Sequence, residues 1–287
     1  LWCPINWHFK TDEVQYILSD SAARIFIADV DLLRGLDGLG LDGLKVFSTT
    51  PDRGLPPEWP QLPDSAPVPL WEAFRDSVLQ ADGPAAAPRG AMFYTSGTTG
   101  RPKGIRRAPS TAGQAANGLA ILRHVLGFEP GMRALVSAPI YHSAPNSYAI
   151  GAALESAHLF IEDRFDAEET LRLIDAYRIT HAYLVPTMYV RMLRLPAEVR
   201  QRHDLSSVRF VASTGSPCPP DVKRAMIDWW GPVIHESYGA SELGYMTRLD
   251  SQEALRKPGS AGKPLPGVTV AILDESGQAL PQDHAGL

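Results

Sequence analysis

The sequence predicts an α/β protein built on doubly wound, mainly parallel β-sheet. Two observations carry that expectation. Short apolar runs alternate with segments of helical periodicity through most of the chain, and strands that buried need helices on both faces. The composition is also that of a globular protein with a sizeable core: 287 residues, 44% hydrophobic and 21% charged, enough for one large domain or two modest ones.

Taken in order, Thr11 to Asp20 places Val14, Ile17 and Leu18 at helical spacing behind Thr11 and Asp12, and Arg24 to Ala28 follows as a short strand. Leu44 to Ser48 is a second strand, Pro51 to Pro69 irregular, Trp71 to Leu79 a short helix, and Asp82 to Pro88 a loop. Gly90 to Tyr94 is apolar enough for a strand, and Ser110 to Leu126 has the Ala, Leu and Ile spacing of a helix. The loop between them is thus expected to connect a strand to a helix. Strands are then expected at Arg133–Ser137, His158–Ile161, His181–Val185, Val208–Ala212 and Val233–Glu236. Helices are expected at Ser147–Glu155, Ala167–Tyr177, Thr187–Leu195 and Pro220–Trp230. From Lys257 the chain turns to Gly, Pro and alternating residues, and 267–273 with 274–280 reads as a hairpin opening a small antiparallel unit. The expected divisions are 1–130, 131–256 and 257–287.

The net charge is −5 and no basic run exceeds a pair, Arg106-Arg107 being one, so the chain lacks a nucleic-acid footprint. Any anion must be met locally. Cys3 and Cys218 are far apart, without metal-ligand or redox spacing, and read as buried or free thiols in a reducing, cytoplasmic setting. No apolar run nears the ~20 residues that span a bilayer. The start at Leu1-Trp2-Cys3-Pro4 and the stop at Leu287 are expected to be cuts in a longer protein.

The stretch most suited to chemistry is Tyr94-Thr95-Ser96-Gly97-Thr98-Thr99-Gly100-Arg101-Pro102-Lys103-Gly104. Its glycines let backbone N–H groups crowd an anion, its hydroxyls add donors, and Lys103 adds a point charge. It is not a Walker A loop, which needs Gly-Lys-Ser/Thr in succession. Downstream, Tyr238-Gly239-Ala240-Ser241-Glu242 would by itself suit a turn followed by a helix N-terminus. Ala212-Ser213-Thr214-Gly215-Ser216-Pro217 would suit a strand, a tight turn and a helix starting near Pro220. His142, in Ala138-Pro139-Ile140-Tyr141-His142-Ser143, would suit a plain loop.

Together, and in this order, these segments resemble the adenylate-forming superfamily of acyl-CoA synthetases, luciferases and peptide-synthetase adenylation domains. Thr95 to Gly104 satisfies the family's Thr/Ser-Ser-Gly-Thr/Ser-Thr-Gly-x-Pro-Lys-Gly pattern throughout, and Tyr238 to Glu242 is similar to Tyr-Gly-x-Thr-Glu with Ser241 where Thr is usual. Pro4 to His8, Glu13, Asp20 to Ala23 and Gly259 to Pro264 resemble the acyl-CoA synthetase branch. The resemblance implies two doubly wound sheets packed together, followed by the start of a small antiparallel β-barrel-like unit, with the C-terminal domain absent.

It further implies an AMP-forming acid–thiol ligase of fatty acid metabolism or of alicyclic or aryl carboxylates, using ATP, Mg²⁺ and coenzyme A. Thr95, Ser96, Gly97, Thr98, Thr99, Gly100 and Lys103 would hold phosphates, and Gly215, Ser216, Pro217, Tyr238 and Gly239 the adenine. Ser241 would meet the α-phosphate, Glu242 the Mg²⁺, and His142 the substrate carboxylate. The family's ribose-binding aspartate, hinge and transfer lysine would lie past Leu287, so the excerpt is expected to be impaired in thioester formation. Arg106-Arg107 depart from the neutral or apolar residues of many relatives.

No acidic residue lies in Pro139 to Ser147 to pair with an ammonium, which favours an uncharged tail over an amino acid. Tyr141, His142, Tyr183, Met188 and Tyr189 are the expected pocket lining. The partners are small molecules, with no nucleic acid and no membrane span, and with room for a homodimer. The rival reading is an ATP-binding regulatory or sensor module.

Overall fold

The computed structural model describes residues 1–49, 69–77, 90–95, 101–108, 111–155, 158–281 and 284–285. Most of the Pro-rich stretch, the loop at 82–88 and Ser96 to Gly100 lie outside the described residues. The chain forms two compact units, Leu1–Pro109 and Ser110–Leu287.

In the first unit, α1 (Thr11–Asp20) buries Val14, Ile17 and Leu18 as its spacing dictates, and the Glu13 carboxylate accepts from Lys10 N at 2.8 Å. It feeds β1 (Ile25–Asp29), which returns through the short helix α2 (Val30–Arg34) to pair in parallel with β2 (Lys45–Thr49). Val14, Leu18 and Phe26 form a small core with Ile5, Phe9 and Val46 around it. α3 (Trp71–Ser77) sets Trp71 and Phe74 against Phe47, at ring separations of 5.6 and 4.5 Å. β3 (Phe93–Thr95) and β4 (Lys103–Ile105) then pair antiparallel, with Thr95 opposite Lys103.

The second unit holds the larger sheet. Its helices and strands are α4 (Ala112–Leu126), β5 (Arg133–Val136), α5 (Ser143–Glu155), β6 (His158–Ile161), α6 (Ala167–Tyr177), β7 (His181–Tyr183), α7 (Pro186–Leu193), α8 (Ala197–Arg200), β8 (Phe210–Ser213), α9 (Pro220–Trp230), β9 (Ile234–Ala240), β10 (Gly244–Leu249), α10 (Ser251–Arg256) and β11 (Lys263–Pro264). The strand order is β11-β10-β9-β8-β7-β5-β6, parallel from β9 to β6, with β10 and β11 antiparallel at one edge. Its core includes Leu135, Tyr148, Leu171, Ile174, Tyr183 and Met192.

Several expectations are corrected. The helix after Ser110, expected in a first division of 1–130, begins at Ala112 and packs on β8 and β10 of the second unit. The strand after Gly90 is followed by a second strand and not directly by a helix, because Lys103 to Ile105 pairs back antiparallel on β3. β9 runs four residues past Glu236, so Tyr238 and Gly239 are strand residues and Ser241-Glu242 forms the tip of the β9–β10 hairpin rather than a helix start. α5 starts four residues early, at Ser143. Lys263–Pro264 joins the main sheet rather than the small unit expected from Lys257, while the expected hairpin does form between 272–274 and 278–280: Leu280 N donates to Ile272 O at 2.8 Å and Asp274 N to Gln278 O at 2.9 Å, around a turn closed by Gly277 N on Asp274 O at 3.0 Å.

At the amino-terminal side of this sheet, one face carries a row of rings. Phe210 stacks on His235 at 3.9 Å and lies 6.1 Å from His181, and an Arg248 guanidinium N lies 3.0 Å from His235 Nδ1. The opposite, carboxyl side is where the predicted motifs of the second unit fall.

Candidate active site

Ligands of open parallel sheets lie beyond the carboxyl ends of the strands, at the point where successive connections leave in opposite directions. Here β5 is flanked by β6 on one side and β7 on the other, so that point lies between β5 and β7. β5 delivers Ser137 to His142 to this edge, β8 delivers Thr214 to Pro217, and β9 delivers Tyr238 to Glu242. Three segments separated by many residues thus leave the sheet at the same end.

The first segment is a braced turn. His142 N donates to Pro139 O at 3.2 Å, Asn146 N donates to His142 O at 3.1 Å, and the buried Asn146 amide donates to Ile140 O at 2.8 Å. His142 keeps solvent-exposed surface, with the Tyr141 ring 4.4 Å from its own. The protein around it lowers its pKa by desolvation, so the imidazole is neutral at neutral pH and can donate one hydrogen bond without repelling or binding charge. Desolvation likewise raises the Tyr141 phenol.

The second segment is a tight turn. Gly215 takes φ +94°, a left-handed conformation that favours glycine, and Thr214 Oγ1 donates to Ser237 O at 2.7 Å, tying the turn to β9. Gly215, Ser216 and Pro217 are exposed, and α9 begins with Pro220 at its first turn as expected.

In the third segment Tyr238 is 55% exposed. A Cβ on Gly239 would come within 2.3 Å of Gly244 O, so only glycine lets the hairpin strands approach as they do. Ser241 is half-buried and its Oγ lies 2.9 Å from Ser143 Oγ, while Glu242 is exposed. The structure therefore brings together two predicted segments, His142-Ser143 and Ser241-Glu242.

In the first unit, Thr95 and Lys103 stand opposite each other where the loop's two strands end, Thr95 half-buried and Lys103 exposed. α1 steadies this base. Tyr94 Oη donates to Asp20 Oδ2 at 2.6 Å, Tyr16 Oη donates to Pro102 O at 3.0 Å, and the Arg101 guanidinium lies 5.3 Å from the centre of the Tyr16 ring. Ser96, Gly97, Thr98, Thr99 and Gly100 lie outside the described residues.

Of the expected pocket lining, Tyr183, Met188 and Tyr189 are buried in the main core, so they pack the sheet rather than offer a surface. Sequence reasoning missed the supporting groups: Tyr16 in the first unit, and Asn146, Thr214 and the ion pair of Lys223 with Glu236 in the second. That pair, at 2.6 Å and nearly buried, joins α9 to the strand leading into Tyr238. Cys218, beside it, is held up at about 11 chiefly by burial and is an inert thiol at neutral pH.

The chain matches the model of the AMP-binding enzyme family over residues 1–287, and it belongs to that family. It is similar to the indoleacetate–CoA ligase of Aromatoleum aromaticum, 29% identical over 96% of this chain and 52% of that protein. It is 26% identical to the 3-hydroxybenzoate–CoA/4-hydroxybenzoate–CoA ligase of Thauera aromatica, over 96% of this chain and 51% of that one. The crystal structure of ATP-bound MatB from Rhodopseudomonas palustris superposes with a TM-score of 0.74 at 27% identity, covering all of this chain and 54% of the other. The chain spans about half the length of these relatives.

Proposed function

We propose that this chain carries the adenylation machinery of an AMP-forming acid–thiol ligase for an uncharged acyl or aryl carboxylate. The observation that carries the reading is the convergence of His142-Ser143, Gly215 to Pro217 and Tyr238 to Glu242 on the carboxyl edge of one parallel sheet, with hydroxyls of the first and third in contact.

In the reaction, a carboxylate oxygen attacks the α-phosphorus of ATP, a bond forms to that phosphorus, and the bond to the bridging oxygen breaks to release pyrophosphate. The resulting acyl-AMP then loses AMP to the thiol of coenzyme A. A carboxylate is ionised at neutral pH, so no base is needed to activate it, and the protein's task is orientation and charge stabilisation. Neutral His142 donates to the carboxylate without pairing it away as an imidazolium would. Tyr238 offers its exposed face to the adenine, with Gly215, Ser216, Pro217 and Gly239 as the backbone wall. Ser241 donates to the α-phosphoryl group. Thr95, Ser96, Gly97, Thr98, Thr99, Gly100 and Lys103 hold the β- and γ-phosphates.

Glu242 is a single exposed carboxylate beside a hydroxyl, a hard-oxygen donor set that fits Mg²⁺, which takes one or two protein carboxylates and completes its shell with phosphate and water. Mg²⁺ bound there would neutralise charge on the phosphates.

Two of the named relatives are ligases of aryl acids, which with the uncharged Pro139 to Ser147 segment directs the first assay to aryl carboxylates. The test is pyrophosphate release by the full-length protein with ATP and a panel of indoleacetate, 3-hydroxybenzoate and octanoate. Release stimulated by at least one acid is expected. ATP binding with no stimulated release by a broad panel would leave a regulatory ATP-binding module instead. Lys103→Ala is expected to slow release about 10²-fold, as loss of one charge-stabilising donor does, and Glu242→Ala to raise the Mg²⁺ concentration for half-maximal rate. Unchanged kinetics in both variants would show that the nucleotide sits elsewhere.

A further inference from the structure

Ser143 and Ser241 lie 98 positions apart, yet their hydroxyl oxygens are 2.9 Å from each other. The two sit in unequal surroundings. Ser143 opens α5 and is held by its backbone: its carbonyl accepts from Ser147 Oγ at 2.9 Å, and the turn before it is closed by the His142 and Asn146 amides and pinned by the buried Asn146 side chain. Ser241 stands at a hairpin tip whose next residues, Glu242 and Leu243, are exposed, Leu243 at 75%. Ser143 is thus carried on a braced helix start and Ser241 on a hairpin tip.

A serine side chain is less restricted about χ1 than the β-branched threonine. It also has one proton. If Ser241 spends that proton on a phosphoryl oxygen, its contact with Ser143 survives only with Ser143 as donor and Ser241 as acceptor. We infer that Ser143 is a positioning residue, fixing the rotamer of Ser241 so that its hydroxyl is aimed before the nucleotide arrives, and linking the His142 turn to the phosphate-facing tip. Ser143 itself touches no substrate. The inference rests on the adenylation reading above.

Carboxylate-dependent pyrophosphate release by the full-length protein, with saturation curves for ATP, tests it in Ser143→Ala, Ser143→Thr, Ser241→Thr and the Ser143→Ala/Ser241→Thr double variant. Aiming a donor at charge that develops in the transition state affects kcat rather than KM. Ser143→Ala is therefore expected to lower kcat about three- to tenfold, the range of one net hydrogen bond, with the KM for ATP changed less than about twofold. Ser143→Thr keeps the donor and should stay within about twofold of the unaltered protein. In the Ser241→Thr background, where the β-methyl itself restrains χ1, adding Ser143→Ala should cost less than about twofold.

An equal loss from Ser143→Ala in both backgrounds, an equal loss in the Ala and Thr variants, a rise in KM at constant kcat, or no loss at all would overturn the inference while leaving the ligase reading intact. Absence of carboxylate-dependent release by the unaltered protein would overturn the ligase reading and this inference together.

Discussion

Single residues near the motifs do more holding than touching. Lys223 and Glu236 are 6% and 12% exposed and 2.6 Å apart, so each is the other's main compensation for lost water. Lys223→Ala leaves a buried carboxylate unpaired and is expected to cost about 3–5 kcal/mol of stability, read as a lower midpoint in urea. Lys223→Met with Glu236→Leu should restore most of that, since apolar residues of similar size often replace such pairs without loss. If the double variant is no better than the single one, the pair's value lies in more than mutual compensation. These supporting residues were not legible in the sequence. Thr95 to Gly104 and Tyr238 to Glu242 are contiguous, so their residue types announce their chemistry. Lys223 and Glu236, or Ser143 and Ser241, meet only because the sheet brings distant segments to one edge.

At the scale of elements, legibility followed the apolar pattern. His158–Ile161 and Ala167–Tyr177 appear where the apolar spacing placed them, because a short strand and an amphipathic helix each write their period into the side chains. α6 also carries its start signal. Asp166 Oδ1 accepts from Glu168 N at 3.1 Å and from Glu169 N at 2.9 Å, so Asp166→Ala is expected to cost about 1 kcal/mol. Chemical denaturation measures it, and a neutral result would mean that solvent serves those amides equally well. β10 and β4 went unread for the complementary reason. β10 interrupts its apolar residues with Gly244, Thr247 and Arg248, and β4 is three residues with a lysine and a glycine, so neither has the apolar run of a central strand. Each exists by pairing back on its predecessor, so that a strand stands at Lys103 where the chain was expected to lead to a helix, and a hairpin tip stands at Ser241-Glu242 where a helix start was expected.

For the whole molecule, the row of rings on the amino-terminal side of the large sheet sets an acid limit. Burial holds His181 down at about 4, with Glu129 opposing and Arg209 reinforcing, and holds His235 down at about 4, with Arg248 and His124 reinforcing and Asp250 opposing. In the unfolded chain both imidazoles take protons below about 6.5, whereas in the folded chain they do so only near 4. These two groups therefore stabilise the fold fully above 6.5, and their contribution falls as the pH drops from there towards 4. Urea midpoints should decrease across that window. In a His181→Phe/His235→Phe variant that remains folded the decrease should be smaller, and an unaltered slope would remove these residues as its cause.

The order of strands in that sheet has a consequence for how the chain is made. After β7 crosses over to the free side of β5, each of β8, β9, β10 and β11 pairs with the strand made just before it. A ribosome releasing this segment from its amino end would therefore extend the sheet sideways by one strand at a time, each newcomer meeting an edge already formed. Closing short loops costs less entropy than closing long ones. The carboxyl rim would be assembled in the same sequence, with the His142 turn first, the Gly215 wall next and the Ser241 tip last.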